Sequence, residues 1–176
     1  SSTRSPDGLP ERTAALVLPG GFPEQHLADL SANSTLRTEI HELSRHAPVQ
    51  AECGGLAYLM DDLDGHPPMC GVLAGSARFT PPRLTLGYRE AVAMSDSSLH
   101  TAGQRVVGHE FHRTTSEFAE NAGTAWAFLR HDGQPVREGG AVRAGVHASY
   151  LHTHPAAQPH SVARFVAHAA LTKLPG

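Results

Sequence analysis

The sequence predicts a three-layer α/β domain. It has a mostly parallel sheet, helices on both faces, and an antiparallel extension from about residue 70 to 140. Three observations predict it. The first third alternates short apolar runs with helix-period segments, in the order strand, glycine loop, helix, strand, sharp turn, helix. The middle is turn-rich and alternates apolar with polar residues at period two, as a half-exposed antiparallel strand does. The end closes with a short strand and an amphipathic helix. The 176 residues are enough for one domain with a real core.

Taken in order, residues 1–12 are polar, with prolines and a glycine, and read as a loop. Thr13–Leu18 is an apolar run that suits a strand buried on both faces. It breaks into Pro19-Gly20-Gly21-Phe22-Pro23-Glu24, which puts backbone amides at the carboxyl end of a strand, where open α/β sheets bind ligands. A short helix is expected over Gln25–Leu30. Asn33 and Ser34 then offer caps for a helix over Thr35–His46, with Leu36, Ile40 and Leu43 on one face. Pro48 stops it, and a strand leads into Ala51-Glu52-Cys53-Gly54-Gly55 and the next helix.

Asp61, Asp62 and Asp64 lie near Gly65, but the spacing lacks the glutamate of a calcium loop, and a turn is expected. Leu84–Met94 alternates as an antiparallel strand. Gly108–Arg113 follows a strand-like Gln104–Val107. Trp126–Leu129 and His131-Asp132-Gly133 predict a hairpin. Gly145–His152 reads as a final strand ending in histidine, and Ser161–Leu171 as a helix with Val162, Phe165, Val166 and Ala169 on one face.

Composition excludes several functions. A net charge of −3 argues against a nucleic-acid binder with a basic face. No apolar run is long enough to span a bilayer, and no signal-peptide core opens the chain. Cys53 and Cys70 are too few for a disulfide framework, so a reducing, cytoplasmic setting is expected; Cys70 is read as inert. No phosphate loop of the GxxxxGK[ST] type is present. His147, His152 and His154 have no accompanying carboxylate or cysteine cluster, so no metal site is expected.

The turn at Cys53 carries the chemistry. An apolar strand, a reactive residue between small neighbours and a following helix form a nucleophile elbow. Ala51 and Gly55 allow the strand end and helix start to meet. A thiolate is the nucleophile, a helix amino terminus favours it, and the Gly54 amide points at a developing oxyanion. His152, at the end of the last strand, is placed to meet Cys53 at the carboxyl edge of the sheet. A Cys–His pair is the minimum for thiol nucleophilic catalysis, with acyl transfer from a small amide as the reaction class. The Gly20-Gly21 loop offers a second oxyanion donor.

The motifs LPGGFPE at Leu18–Glu24, AECGGLAYL at Ala51–Leu59, LGYREA at Leu86–Ala91, GHEFHRT at Gly108–Thr114 and ASYLHTH at Ala148–His154 carry a resemblance. Together they resemble the class I, triad-type glutamine amidotransferase domain of cobyrinic acid and hydrogenobyrinic acid a,c-diamide synthases. The resemblance covers nearly the whole chain. It implies a flavodoxin-like α/β fold and residues 1–176 as a single glutamine amidotransferase domain. It implies a complete enzyme that uses ATP with magnesium to amidate two carboxylates of a corrinoid in cobalamin biosynthesis, with glutamine as the ammonia source. It further implies Cys53 as the nucleophile that forms a glutamyl thioester, His152 as its base, and Gly21 with Gly54 as the oxyanion hole.

The chain departs from the family in two respects. The resemblance implies that the ATP-binding synthetase half lies outside this sequence, and that Thr13–Leu18 corresponds to an internal strand, so the first strand–helix unit of the domain is also expected to be missing from it. Glutamine, a corrinoid and an ATP-binding synthetase domain or subunit are the expected partners, with no cofactor in this chain itself. The second departure is His154, which stands where many triad amidotransferases carry a glutamate. The expectation is a Cys–His dyad, or a pair oriented by a group elsewhere; Glu52 is read as a local hydrogen-bonding or capping residue. Gly20, Tyr88, Arg89, His109 and Glu110 are candidate substrate- or domain-facing residues. For His109–His112 the other reading is a structural turn. The alternative function is a non-catalytic module that docks on a synthetase partner or binds corrinoid.

Overall fold

A computed structural model describes residues 8–66, 68–80, 83–119 and 122–173. Residues 1–7 of the expected amino-terminal loop lie outside the described residues. Strand β1 (Leu16–Leu18) is shorter than the expected Thr13–Leu18. Its parallel ladder with β2 (Val49–Glu52) begins at Leu16 opposite Val49, and Thr13 is held back by a hydrogen bond from its hydroxyl to the Pro10 carbonyl. A single 3-10 turn, Pro23–Gln25, precedes helix α1 (Leu27–Ala32). Helix α2 (Ser34–Leu43) starts at the predicted cap: the Asn33 side chain accepts from the Leu36 amide at 3.0 Å.

Helix α3 (Gly54–Leu59) follows β2 and is buried at every residue. It runs straight into β3 (Met60–Leu63), and the expected turn follows at Asp64-Gly65, where the His66 amide donates to the Leu63 carbonyl at 3.0 Å. Asp62 accepts from the Gly65 amide within this turn, while Asp61 and Asp64 accept from the backbone amides of Gly75 and Phe79 and tie β3 to the next strand.

The antiparallel region consists of β4 (Leu73–Phe79), β5 (Thr85–Ala93), β6 (Arg105–His112), β7 (Thr114–Phe118), β8 (Gly123–Leu129) and β9 (Pro135–Arg143). The β8–β9 hairpin closes at the predicted turn, with the Gly133 amide donating to the Arg130 carbonyl at 2.8 Å. The GHEFH segment is strand throughout, so the turn reading of His109–His112 is corrected: these residues complete β6 and pair with β5.

The expected last strand is divided at Tyr150 into β10 (Val146–Ser149) and β11 (Leu151–His152), because its two halves take different partners. β10 pairs in parallel with β2, while β11 pairs antiparallel with β6. Helix α4 (Pro159–Ala170) follows.

The main sheet has the order β1-β2-β10-β9-β8-β5-β6-β11, and β3-β4-β7 form a second sheet. Parallel pairing in the main sheet joins β1, β2 and β10, the part that carries the elbow. The remaining pairings are antiparallel, so the extension supplies the larger share of the ladders. Val49, Ala51, Val146 and Ala148 on one face are buried with Ile40 and Leu43 of α2 and with Leu56 and Leu59 of α3. Full burial of each large aliphatic side chain contributes about 1.5–3 kcal/mol.

Helix α4 covers the other face, which makes the third layer. The Ser161 hydroxyl lies 3.1 Å from His100 Nδ1, and Arg164 Nε donates to the Ser97 carbonyl at 2.7 Å. Beneath it, His100, Trp126 and His147 form an edge-to-face aromatic cluster. The apolar face of α4 is only partly covered: Phe165 is half-buried, whereas Val162 and Val166 are exposed.

Candidate active site

Cys53 lies between the last residue of β2 and the first of α3, with φ +51° and ψ −107°. That positive φ is costly for a residue with a Cβ. Neighbouring packing holds it there. The Cys53 amide donates to the Ser149 carbonyl of β10 at 2.8 Å. A Cβ added to Gly55 would stand 2.4 Å from the Leu18 carbonyl oxygen, and one added to Gly54 would stand 2.8 Å from the Gly21 carbonyl oxygen. Both glycines are therefore required by close backbone approach, and Gly54 lies against the Gly21 carbonyl. The thiol is buried and donates to the Phe111 carbonyl over a long 3.7 Å.

His152 meets Cys53 above the glycine loop. A Cβ placed on Gly20 would be 3.6 Å from both Cys53 Cβ and His152 Nε2, and only 2.8 Å from His152 Cε1. Gly20 is thus the floor on which the two side chains converge. The break at Tyr150 aims His152 here: β11 leaves the β2 ladder and joins β6, with His152 opposite His109.

The far side of the imidazole faces a carboxylate. His152 Nδ1 donates to Glu52 Oε2 at 3.0 Å, and the other carboxylate oxygen accepts from Gln50 Nε2 at 3.1 Å and the Thr153 amide at 3.5 Å. This fixes the tautomer and leaves Nε2 for the sulfur. The hydrogen bond to Cys53, followed by the one to Glu52, pushes the imidazole up to about 10. Burial opposes the shift and is outweighed.

Glu52 is the site residue that the sequence reading did not place. Its signal was available in the alternation of β2: Val49 and Ala51 face the α3 side, so Gln50 and Glu52 face the opposite side, where β11 ends. His154 plays no comparable part. It is exposed, and its Nδ1 accepts from the Ala156 amide at 3.2 Å, capping a short 3-10 turn.

The remaining candidates divide by face. Glu110 is 1% exposed and is bound by Arg89 Nε at 2.9 Å and by Arg137. Burial would raise its carboxyl, but the imidazole of His112, 3.6 Å away, and the Arg137 guanidinium overcome that and hold it at about 2. Arg89 gives its other nitrogens to the carbonyls of Tyr88 and Leu86. Glu110 is therefore buried beneath the half-buried Arg89 and the more exposed Arg137, and the group braces the extension on the face opposite Tyr88 and His109. Tyr88 and His109 lie on the outer face as an edge-to-face pair.

His147 is buried, and Cys70 is a free, buried thiol that burial pushes up to about 12. Among the described residues, no group of three or more His, Cys, Asp or Glu is arranged to hold a metal ion. No helix among them is long and apolar enough to cross a membrane.

The family model of the CobB/CobQ-like glutamine amidotransferase domain matches residues 2–159. The chain is 64% identical over 163 residues to the hydrogenobyrinate a,c-diamide synthase of Mycobacterium bovis, a match covering 92% of this chain and 35% of that protein. It is 55% identical to the enzyme of the same name from Streptomyces coelicolor, covering 90% of this chain and 32% of that one. The chain thus spans about a third of the length of these curated relatives. Among solved structures, a glutamine amidotransferase aligns with a TM-score of 0.58 at 18% identity, covering 90% of this chain and 80% of that one. A Thermotoga maritima glutamine amidotransferase aligns with a TM-score of 0.53 at 15% identity, covering 88% and 61%. At these identities the likeness is one of fold.

Proposed function

The chain belongs to the CobB/CobQ-like glutamine amidotransferase domain family, and from that premise we propose that it is the glutaminase part of an ATP-dependent corrinoid a,c-diamide synthase. The observation that carries the proposal is the strained Cys53 at the elbow, with His152 beside it and Glu52 behind His152.

In this reading the Cys53 sulfur, its proton taken by His152 Nε2, attacks the side-chain amide carbon of glutamine. A C–S bond forms, and the amides of Gly54 and Gly21 stabilise the oxyanion. The imidazolium returns its proton to the amide nitrogen as the C–N bond breaks, which releases ammonia and leaves a glutamyl thioester. Water then attacks the thioester, giving glutamate and the free thiol. Glu52 holds the imidazole in one tautomer and stabilises its charged form, as the acid of a triad does.

The described residues offer no metal cluster, and the sequence has no phosphate loop. In the proposal, nucleotide and magnesium are held by the synthetase portion, and the setting is the cytoplasm. Replacing Cys53 by Ala in the complete synthase should abolish amidation supported by glutamine while amidation supported by added ammonia continues. Loss of both, or of neither, would contradict the assignment.

A further inference from the structure

An antiparallel sheet with one free face ordinarily presents polar side chains to water. The outer face of β5 and β6 does the opposite. Leu86 is 54% exposed, Tyr88 80%, Val107 55% and Phe111 44%. The ladder places Leu86 opposite Phe111, Tyr88 opposite His109, and Glu90 opposite Val107, so these side chains form one continuous patch. An exposed apolar patch of adjoining large residues marks an interaction surface.

The patch runs up to the catalytic pair. His109 is directly opposite His152 across the β6–β11 ladder, and paired residues share a face. The Phe111 carbonyl is the one that the Cys53 thiol contacts. Whatever covers the patch therefore also borders the mouth of the site.

We propose that this face is where the synthetase portion of the same polypeptide docks, an inference that rests on the glutaminase reading above. Two observations select that occupant. The chain matches only 35% of the length of its mycobacterial relative, so most of such a polypeptide remains to be placed against it. Ammonia released into neutral water becomes ammonium and loses its nucleophilic lone pair, so the portion that consumes ammonia must close over Cys53 and His152 and exclude water there. The apolar face beside that mouth supplies the adhesion, and Glu90 and Arg105, both exposed, form a charged rim.

The test uses the full-length polypeptide in which this chain is joined to its synthetase portion. Leu86→Glu and Tyr88→Glu should each lower glutamine-supported amidation by about tenfold or more, the loss typical of a buried interface anchor. Ammonia-supported amidation, and labelling of Cys53 by a glutamine-analogue diazoketone, should stay within about twofold of the parent, since neither side chain belongs to the catalytic site. A photo-crosslinking amino acid at position 88 should join this chain to peptides of the synthetase portion within one molecule. Unchanged glutamine-supported amidation, equal loss of the ammonia-supported reaction, or crosslinks only between two copies would each overturn the proposal. Failure of the parent to label at Cys53 would instead contradict the glutaminase reading, while the crosslink reports on the docking face separately.

Discussion

His152 Nδ1 stands 3.0 Å from a carboxylate oxygen of Glu52, the residue immediately before the candidate nucleophile. The acid that orients the imidazole therefore comes from the elbow strand, and the position two residues after the histidine is left to His154. Glu52→Gln removes the charge and keeps the shape. We expect kcat for glutamine hydrolysis to fall on the order of 10²–10⁴, with KM little changed, by loss of the correct tautomer. Glu52→Asp should restore part of it. The imidazole titration, held up to about 10 in the parent, should move down in Glu52→Gln when followed by NMR. An unchanged titration and rate would show that Glu52 is only a surface hydrogen-bonding group.

The elbow stores backbone strain at Cys53, with φ +51°. A non-glycine residue there costs about 1–3 kcal/mol. Cys53→Gly should therefore be more stable than Cys53→Ala by about 1 kcal/mol in urea denaturation, reversing the usual order of the two residues. Both variants should lack glutaminase activity. An alanine variant equal to or more stable than the glycine one would show that the elbow is unstrained.

The two glycines of the loop should respond differently. A Cβ on Gly20 would press to 2.8 Å from His152 Cε1, whereas a Cβ on Gly21 would meet no atom within 4 Å. Gly20→Ala should displace the imidazole and reduce glutamine hydrolysis by about a hundredfold or more, as a misplacement of about 1 Å does. Gly21→Ala keeps its backbone amide and should retain activity within about tenfold. The reverse order in a rate assay would remove Gly20 from the site floor.

Acid should destabilise the domain from near neutrality downward. Burial pushes His147 down to about 3 and His100 down to about 4. Both are depressed below the ordinary histidine value of about 6.5. The unfolded chain therefore binds more protons, and stability falls as pH drops from about 6.5 towards these values. His152 acts oppositely. Its contribution is complete below about 6.5 and is lost as pH rises through about 10. Replacing His147 by Phe should flatten the acid limb in denaturation measured between about pH 4 and 7. An unchanged acid limb in that variant would contradict the assignment to His147.

Much of the site was legible in the sequence because each part has a local signature. The small residues around Cys53, the glycines after β1 and a histidine at the end of the last strand all announce themselves. The Asn33 cap and the alternation over Leu84–Met94 were read in the same way. What was not legible depends on pairing. Nothing local shows that Tyr150 is where the chain changes neighbours, or that Asp61 and Asp64 serve backbone amides 14 and 15 residues away. Glu52 escaped because its partner lies 100 residues on. Glu110 reads as a surface group because charged residues usually are; its burial depends on Arg89 of the neighbouring strand and on Arg137, three strands away across the sheet.

The central claim is that Cys53 and His152 form an assembled thiol site selective for glutamine. Incubation with a glutamine-analogue diazoketone, followed by peptide mass mapping, tests it most directly. A single adduct on Cys53 is expected, blocked by glutamine and lost in the His152→Ala variant, with Cys70 unmodified. A folded chain that takes no label at Cys53, or labels equally at Cys70 or without His152, would contradict it.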